Sequence, residues 1–508
     1  MPPSGKQDSV LSGYRRGVPV AKKKGTDPRE SEHFMPTANA HSPPAEPGAE
    51  DSLGWSRTIV RQFVLVLILS WWGVAPVGAG EEPLRIAVFN VSATPPIGSP
   101  VAYAPARKIE DPLSARGIVL LTGAKPIVLC AVDWIGIANG GNDVWRRQLA
   151  EAAGTMPDRV AVHTLHQHDG PRCDFDAEEL LAARGLGGKF YDAAFARDTI
   201  RRTAAAIRDS LRHACRVTHV GAGKAKVSRF ASNRRILGPD GKVKINRGSS
   251  CRQPDAINAP EGVIDPYVQL ISFWDHERPV ACLSYYATHP QSYYGNGDVT
   301  ADTVGLARAI REQAVPGVAF IHFNGAGGNV GAGKYNDGSP PMRLKLAERL
   351  AAGMKAAWEA TVRRPIAAGD VDWAVHPTRL PLRHDFDAVR LRAKLDDSSA
   401  DATQRLWAAN DLAWVNRCLA GHAIDIARLR LGNLFVLHMP GELFVEYQLA
   451  AQQMRLRDTV CMAAYGDYGA SYIGTRIAYA QNGYEDKESH VAPEVEVVLM
   501  GAMRELLK

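Results

Sequence analysis

From Leu84 onward, apolar runs of strand length alternate with stretches of helical periodicity, and no other feature narrows the possible folds as much. The runs fall at 118–121, 126–132, 159–163, 279–286, 317–323, 433–439 and 460–464. Apolar residues recur at helical spacing in 143–153, 193–211, 301–313 and 342–360, and 385–420 reads as one or two amphipathic helices. This alternation predicts an α/β fold of layered mixed sheets and helices. No internal repeat or Ser/Pro-rich linker interrupts the pattern, so 84–508 is expected to be one large domain. The polar stretch 228–259 lacks periodic apolar positions and reads as a surface excursion.

The chemistry-bearing residues gather where these runs end. His166-Gln167-His168 follows an apolar run and precedes Asp169-Gly170-Pro171. On an extended segment, residues two apart point the same way, and Gly-Pro then turns the chain. His289 leaves the run that contains Cys282, and Asn324 to Lys334 forms a glycine-rich loop after another. Pro440-Gly441-Glu442 follows a third, and Tyr465 to Tyr484 a fourth. Loops at strand ends of a rigid sheet are where α/β folds build sites. Two imidazoles and a carboxylate are a familiar catalytic zinc set that leaves a position open for water.

In order along the chain, these segments resemble the catalytic domain of the neutral/alkaline ceramidases, which are zinc-dependent amidases. His166-Gln167-His168-Asp169-Gly170-Pro171 is similar to that family's H-x-H-S-G-P. Ala287 to Ser292 matches its A-x-H-x-x-S, Asn233-Arg234 its N-R, and Pro440-Gly441-Glu442 its P-G-E. Tyr472 and Tyr484 match its paired tyrosines. The resemblance runs from about Leu84 to Leu507 and implies zinc held by His166, His289, Glu442 and Tyr472, with Tyr468 the alternative tyrosine. It implies His168 as acid/base or oxyanion partner, and Arg234 and Tyr484 lining the substrate site. The expected reaction is hydrolysis of an N-acyl sphingoid or related N-acyl compound, with water activated by zinc as nucleophile. Two departures stand out. The family's loop acid and serine are Asn329 and Gly331 here, and its C-terminal β-sandwich has no counterpart. A ligand-binding protein on the same scaffold, or an ester or sugar-amide hydrolase, are therefore alternatives.

Each residue also admits a structural reading. Glu442 can begin the helix expected over 443–454, where a carboxylate suits the dipole. Tyr472 and Tyr484 can simply pack, and Arg234 beside Arg235 can be solvated. Gly328 to Lys334 fits G-x-x-x-x-G-K, but Tyr335 stands where magnesium needs Ser/Thr, which argues against a nucleotide. No G-x-S-x-G elbow is present, which disfavours a serine hydrolase.

Residues 1–56 are rich in Pro, Ser, Gly and charge and read as a disordered leader. Residues 57–79 combine basic flanks, a short apolar stretch and small residues, which predicts a signal peptide or a retained signal-anchor. Export to the periplasm or outside the cell follows, with membrane-surface contact if the segment is retained. The net charge of +6 is small for 508 residues, and no basic stripe with interleaved aromatics suggests nucleic acid. Seven cysteines without a C-x-x-C spacing disfavour a cysteine zinc site and leave at least one thiol unpaired. Cys130 and Cys282 lie in apolar runs and are expected to be buried.

Overall fold

Three mixed sheets carry the apolar runs, and each ends on one edge in a parallel pair. The computed structural model describes residues 83–508; the leader 1–56 and the signal-like segment 57–79 lie outside the described residues. In the first sheet, Val160–Thr164 runs parallel to Ile127–Val132, followed by Ser114–Leu121, Arg85–Ser92 and Cys215–Arg216. In the second, Ala319–Asn324 is parallel to Arg278–Tyr286, followed by Tyr267–Asp275, His219–Lys226 and Val362–Pro365. In the third, Thr459–Ala463 is parallel to Leu434–His438, followed by Ile424–Leu431 and Val371–Thr378.

Ile127–Val132, Val160–Thr164 and Leu434–His438 are buried along their whole length, and the other parallel strands are buried except at their first residues, as near-continuous apolar runs require. Helices cover the sheets. Asn139–Ala153 and Ala193–Leu211 pack together beside the first, and Asp302–Ala314 and Pro341–Glu359 beside the second. Ala193–Leu211 shows why. Ala196, Ile200, Ala204 and Ile207 recur on its buried face, and the Asp192 carboxylate caps its start by accepting from the Phe195 N–H. Ile200 and Ile207 each contribute about 1.5–3 kcal/mol by leaving water.

Backbone hydrogen bonds join the sheets at the ends of their parallel pairs. The Thr164 N–H donates to the Tyr465 carbonyl (3.0 Å), that of Ala464 to Asn324 (2.9 Å), and that of Tyr465 to Gly441 (2.9 Å). Loops leaving all three sheets therefore share one floor.

The expected α/β layering is present, and 385–420 forms two helices, Ala388–Asp396 and Ala402–Leu419. Most of 228–259 lies exposed or half-buried, as a surface excursion should, but two parts of it are built into the interior. Ser232–Asn233 pairs with Val330–Gly331, and the wholly buried Arg247 gathers the backbone carbonyls of Asn233, Ala256, Ala259 and Pro260. A guanidinium with five donors organises this segment, so apolar periodicity is absent from it. Tyr267–Asp275 also escapes the periodicity reading, because polar Gln269 and Ser272 are buried within it; the Gln269 amide donates to the Val460 carbonyl. All seven cysteines are free, and Cys130 and Cys282 are buried. Among the described residues, no helix is long and apolar enough to cross a membrane.

Candidate metal centre

His166 follows the end of the Val160–Thr164 strand by two residues. Its backbone turns left-handed there (φ 57°), so the H-x-H segment is not extended as its sequence suggested. Such a conformation costs a non-glycine residue about 1 kcal/mol or more and persists only where its surroundings impose it. The Thr164–Tyr465 backbone bond and a hydrogen bond from His166 Nδ1 to the Ile135 carbonyl (2.9 Å) do so here. Ile135 is itself fixed by the preceding Asp133, whose carboxylate is buried against Arg308 at 2.8 and 3.0 Å.

His289 leaves the Arg278–Tyr286 strand, and its Nδ1 donates to the Gly327 carbonyl (2.7 Å). With Nδ1 protonated in both rings, each Nε2 presents a lone pair. Both face the Glu442 carboxylate: Oε2 lies 2.8 Å from His289 Nε2 and 3.3 Å from His166 Nε2. One ligand atom from each of the three residues lies within 4.8 Å of the others, and all three side chains are buried.

Their charge states follow from their surroundings. Burial depresses His166 to about 4, against the pull of Glu442, so its ring is neutral at pH 7. Burial works to raise Glu442, but the facing imidazoles and a hydrogen bond from Tyr468 outweigh it and bring the carboxyl down to about 2. An anion and two imidazole lone pairs thus converge where Glu442 Oε2 accepts no hydrogen bond. A divalent cation satisfies that set, and the donors are of the kind zinc takes; a tetrahedral ion places its ligand atoms roughly 3.4 Å apart. The carbonyls holding each Nδ1 fix the tautomer a metal requires. Because the binding-competent form of His166 persists down to about pH 4, a steep fall in divalent-cation affinity is expected near and below that pH, where the ring gains its proton. Equilibrium dialysis from about pH 8 to 3 reads it; an affinity that stays flat across about pH 4 would contradict it.

The remaining sequence-selected residues surround this point. His168 is half-buried, with Nε2 3.0 Å from His166 Nε2 and Nδ1 3.3 Å from the Tyr103 hydroxyl. Burial, with His166 next, pushes it well below its ordinary value, so it too is neutral. The Tyr472 hydroxyl lies 3.2 Å from His289 Nε2 and accepts from Arg234 Nη1 at 3.1 Å. Arg234 is buried rather than solvated, and its guanidinium lies 5.5 Å from the centre of the Tyr484 ring. Tyr468 donates to Glu442 Oε1, so both candidate tyrosines reach the centre by different partners.

Other readings are replaced. Glu442 does not begin the helix Val445–Met454; Asn329 caps it instead, its Oδ1 accepting from the Val445 N–H (2.9 Å). Gly328 to Lys334 leads into the short strand Val330–Gly331 and not a helix, and Lys334 Nζ is spent on the carbonyls of Ile257 and Ala259. A phosphate loop therefore lacks its frame.

Two residues not selected from the sequence, Tyr103 and Tyr294, complete the centre beside the tyrosines of the fourth segment. Tyr103 and Tyr294 pack on His168, and Tyr465 and Tyr468 flank His166. Tyr103 lies in an aperiodic stretch, so nothing local marks it. A cavity of about 210 Å³ opens from the centre toward the helix Ala402–Leu419.

Fold and centre together define a class: a layered α/β scaffold whose cavity meets a buried His-His-Glu group. Within it, the chain has the fold of neutral ceramidase. It is similar to neutral ceramidase from Pseudomonas aeruginosa (TM-score 0.61, 17% identity, 84% of this chain and 74% of that one). It is likewise similar to a ceramidase complexed with C2 (TM-score 0.60, 17% identity, 84% and 75%). No family model matches the chain, and no curated protein matches it by sequence.

Proposed function

We propose that the chain is an exported, zinc-dependent hydrolase of N-acyl amides, ceramidase-like in its chemistry. The observation that carries the proposal is the convergence of His166, His289 and Glu442 in one buried point at the end of a cavity. Zinc held by these residues supplies a water activated near neutral pH and polarisation of the acyl carbonyl.

The chain's own groups supply the rest. His168, neutral and braced by Tyr103, carries a proton to the departing amine. Arg234 stays charged and holds the Tyr472 hydroxyl beside His289, where both can donate to the oxygen on which charge develops. Tyr484 lines the cavity beside them.

Amide turnover by the purified chain is expected to vanish on full chelation and to return with one zinc per chain. Turnover that survives chelation in the His166→Ala protein sinks the proposal.

A second reading, ligand binding without turnover, draws on Gly331. A Cβ there would meet nothing closer than the Cβ of His289 at 3.8 Å, so the place of a side chain is open. Gly331→Ser is expected to fold as the parent and to raise cleavage of short-chain ceramide about tenfold, the worth of one hydrogen bond. Steady-state kinetics on both proteins read the difference.

A further inference from the structure

The cavity wall facing away from the metal centre is built unlike a channel for aliphatic chains. Tyr468 marks the crossing: its hydroxyl reaches Glu442, while the next residue, Gly469, packs on Asn139 and Trp414. Beyond it Tyr191, Asn410, Asp411 and His490 give the wall a polar strip, with Phe386 packed beside His490. Tyr191 donates to Asn410 Oδ1 (2.5 Å), which leaves the Asn410 amide N–H groups for a ligand. His490 is held by the Gly469 carbonyl (2.8 Å) and stands 3.2 Å from Asp411 Oδ1, which leaves the second Asp411 oxygen as an acceptor. Asp411 keeps a quarter of its side chain exposed. Donor and acceptor therefore sit side by side on consecutive residues of one helix.

The rim is aromatic. Tyr103, Trp407 and Tyr484 line the same cavity and are 51%, 45% and 45% exposed. Arg172 lies over the faces of Trp407 (5.4 Å) and Tyr103 (5.9 Å) and so orients both. The cavity holds about 210 Å³, below the roughly 300–1,000 Å³ of sites that enclose drug-sized ligands.

These features select among amides. A methylene chain laid on this wall would strip water from Asp411 and Asn410 and return no hydrogen bond, which is costly. A hydroxyl both donates and accepts, and so satisfies the pair. The C–H face of a saturated ring carries slight positive charge and suits the negative face of an exposed indole or phenol. Resting on the amide-hydrolase reading above, we propose that the substrate is an N-acylated amino sugar or a comparable compact amino polyol. Its hydroxylated ring would lie between Trp407 and the Asn410–Asp411 wall. Water adds its oxygen to the acyl carbon, the C–N bond breaks, and the nitrogen takes the proton, giving a carboxylic acid and a free amino sugar.

N-acetylglucosamine and N-acetylsphingosine are the probes, tested with the full chain, zinc-loaded and metal-free. Calorimetric titration of the metal-free protein is expected to show saturable binding of N-acetylglucosamine, weakened at least tenfold in Trp407→Ala and in Asp411→Asn. In the zinc-loaded protein, kcat/KM should favour N-acetylglucosamine at least a hundredfold. Each variant should erode that preference at least tenfold, through KM. The idea is overturned if N-acetylsphingosine is the better substrate, or if the sugar amide binds parent and variants alike. Tight sugar binding without turnover of either amide would instead overturn the hydrolase reading and leave the sugar subsite standing.

Discussion

Glu442→Gln is expected to reduce bound zinc from one per chain to near none and to lower amide turnover by about a thousandfold or more. The Glu442 carboxylate is the only anion among the three converging ligand residues, and its Oε2 faces both imidazole lone pairs. Glutamine keeps the side chain's volume and the oxygen that accepts from Tyr468, but it loses the charge. Lewis-acid chemistry is worth several kcal/mol at a transition state, and each 1.36 kcal/mol is tenfold in rate. The isosteric change leaves the surrounding packing alone, so the metal-free variant should keep the parent's circular dichroism spectrum and a cooperative thermal transition. Elemental analysis of the dialysed protein and an N-acyl amide assay read the two expected losses. A variant that holds stoichiometric zinc and turns over at parental rate would remove Glu442 from the centre.

Gly328→Ala is expected to destabilise the fold by about 2–4 kcal/mol and to cost at least a hundredfold in activity, although residue 328 touches no substrate. A Cβ at Gly328 would come within 2.2 Å of the Glu442 carbonyl oxygen and 2.8 Å of its carbonyl carbon. The Gly328 N–H also donates to the Leu443 carbonyl at 2.8 Å, so the two backbones are locked together. The methyl group can be accommodated only if the strand Glu442–Leu443 retreats. Overpacking of a well-filled interior costs about 1–3 kcal/mol, and the strained hydrogen bond adds to it. A displacement near 1 Å at a reacting centre costs about a hundredfold. Gly331→Ala, three residues on, is the contrast: its Cβ has 3.8 Å or more on every side, and denaturant midpoints should place it within about 0.5 kcal/mol of the parent. Equal destabilisation by both substitutions would show that the contact at Glu442 is not what matters.

Particular residues show how far local reading reaches. Strand and helix periodicity is a property of neighbours, so seven apolar runs and four long helices are legible without the fold. The ordered motifs around His166, His289, Pro440-Gly441-Glu442 and Tyr472 are legible too, because each sits where a run ends. Tyr267–Asp275 is not, since its buried Gln269 finds its partner at Val460, far along the chain. Arg234 reads as solvated for the same reason: the aromatic rings beside it, Tyr472 and Tyr484, come from a distant segment. Glu442 and Asn329 show it most directly. The helix cap that local chemistry assigns to the glutamate is made by the asparagine, and the glutamate turns inward.

The sequence by itself determined the alternation of strands and helices and the identity of the imidazoles, carboxylate and tyrosines at the strand ends. Tertiary structure alone decided that these groups meet. Hydrogen bonds such as Thr164 to Tyr465, Ala464 to Asn324 and Tyr465 to Gly441 join three sheets at one floor. Pairings of that kind depend on the register of strands far apart in the chain, which no local spacing encodes. Trp407 and the Asn410–Asp411 wall come from a helix whose own periodicity reports only the face it buries, and Tyr103 and Tyr484 join them from distant segments.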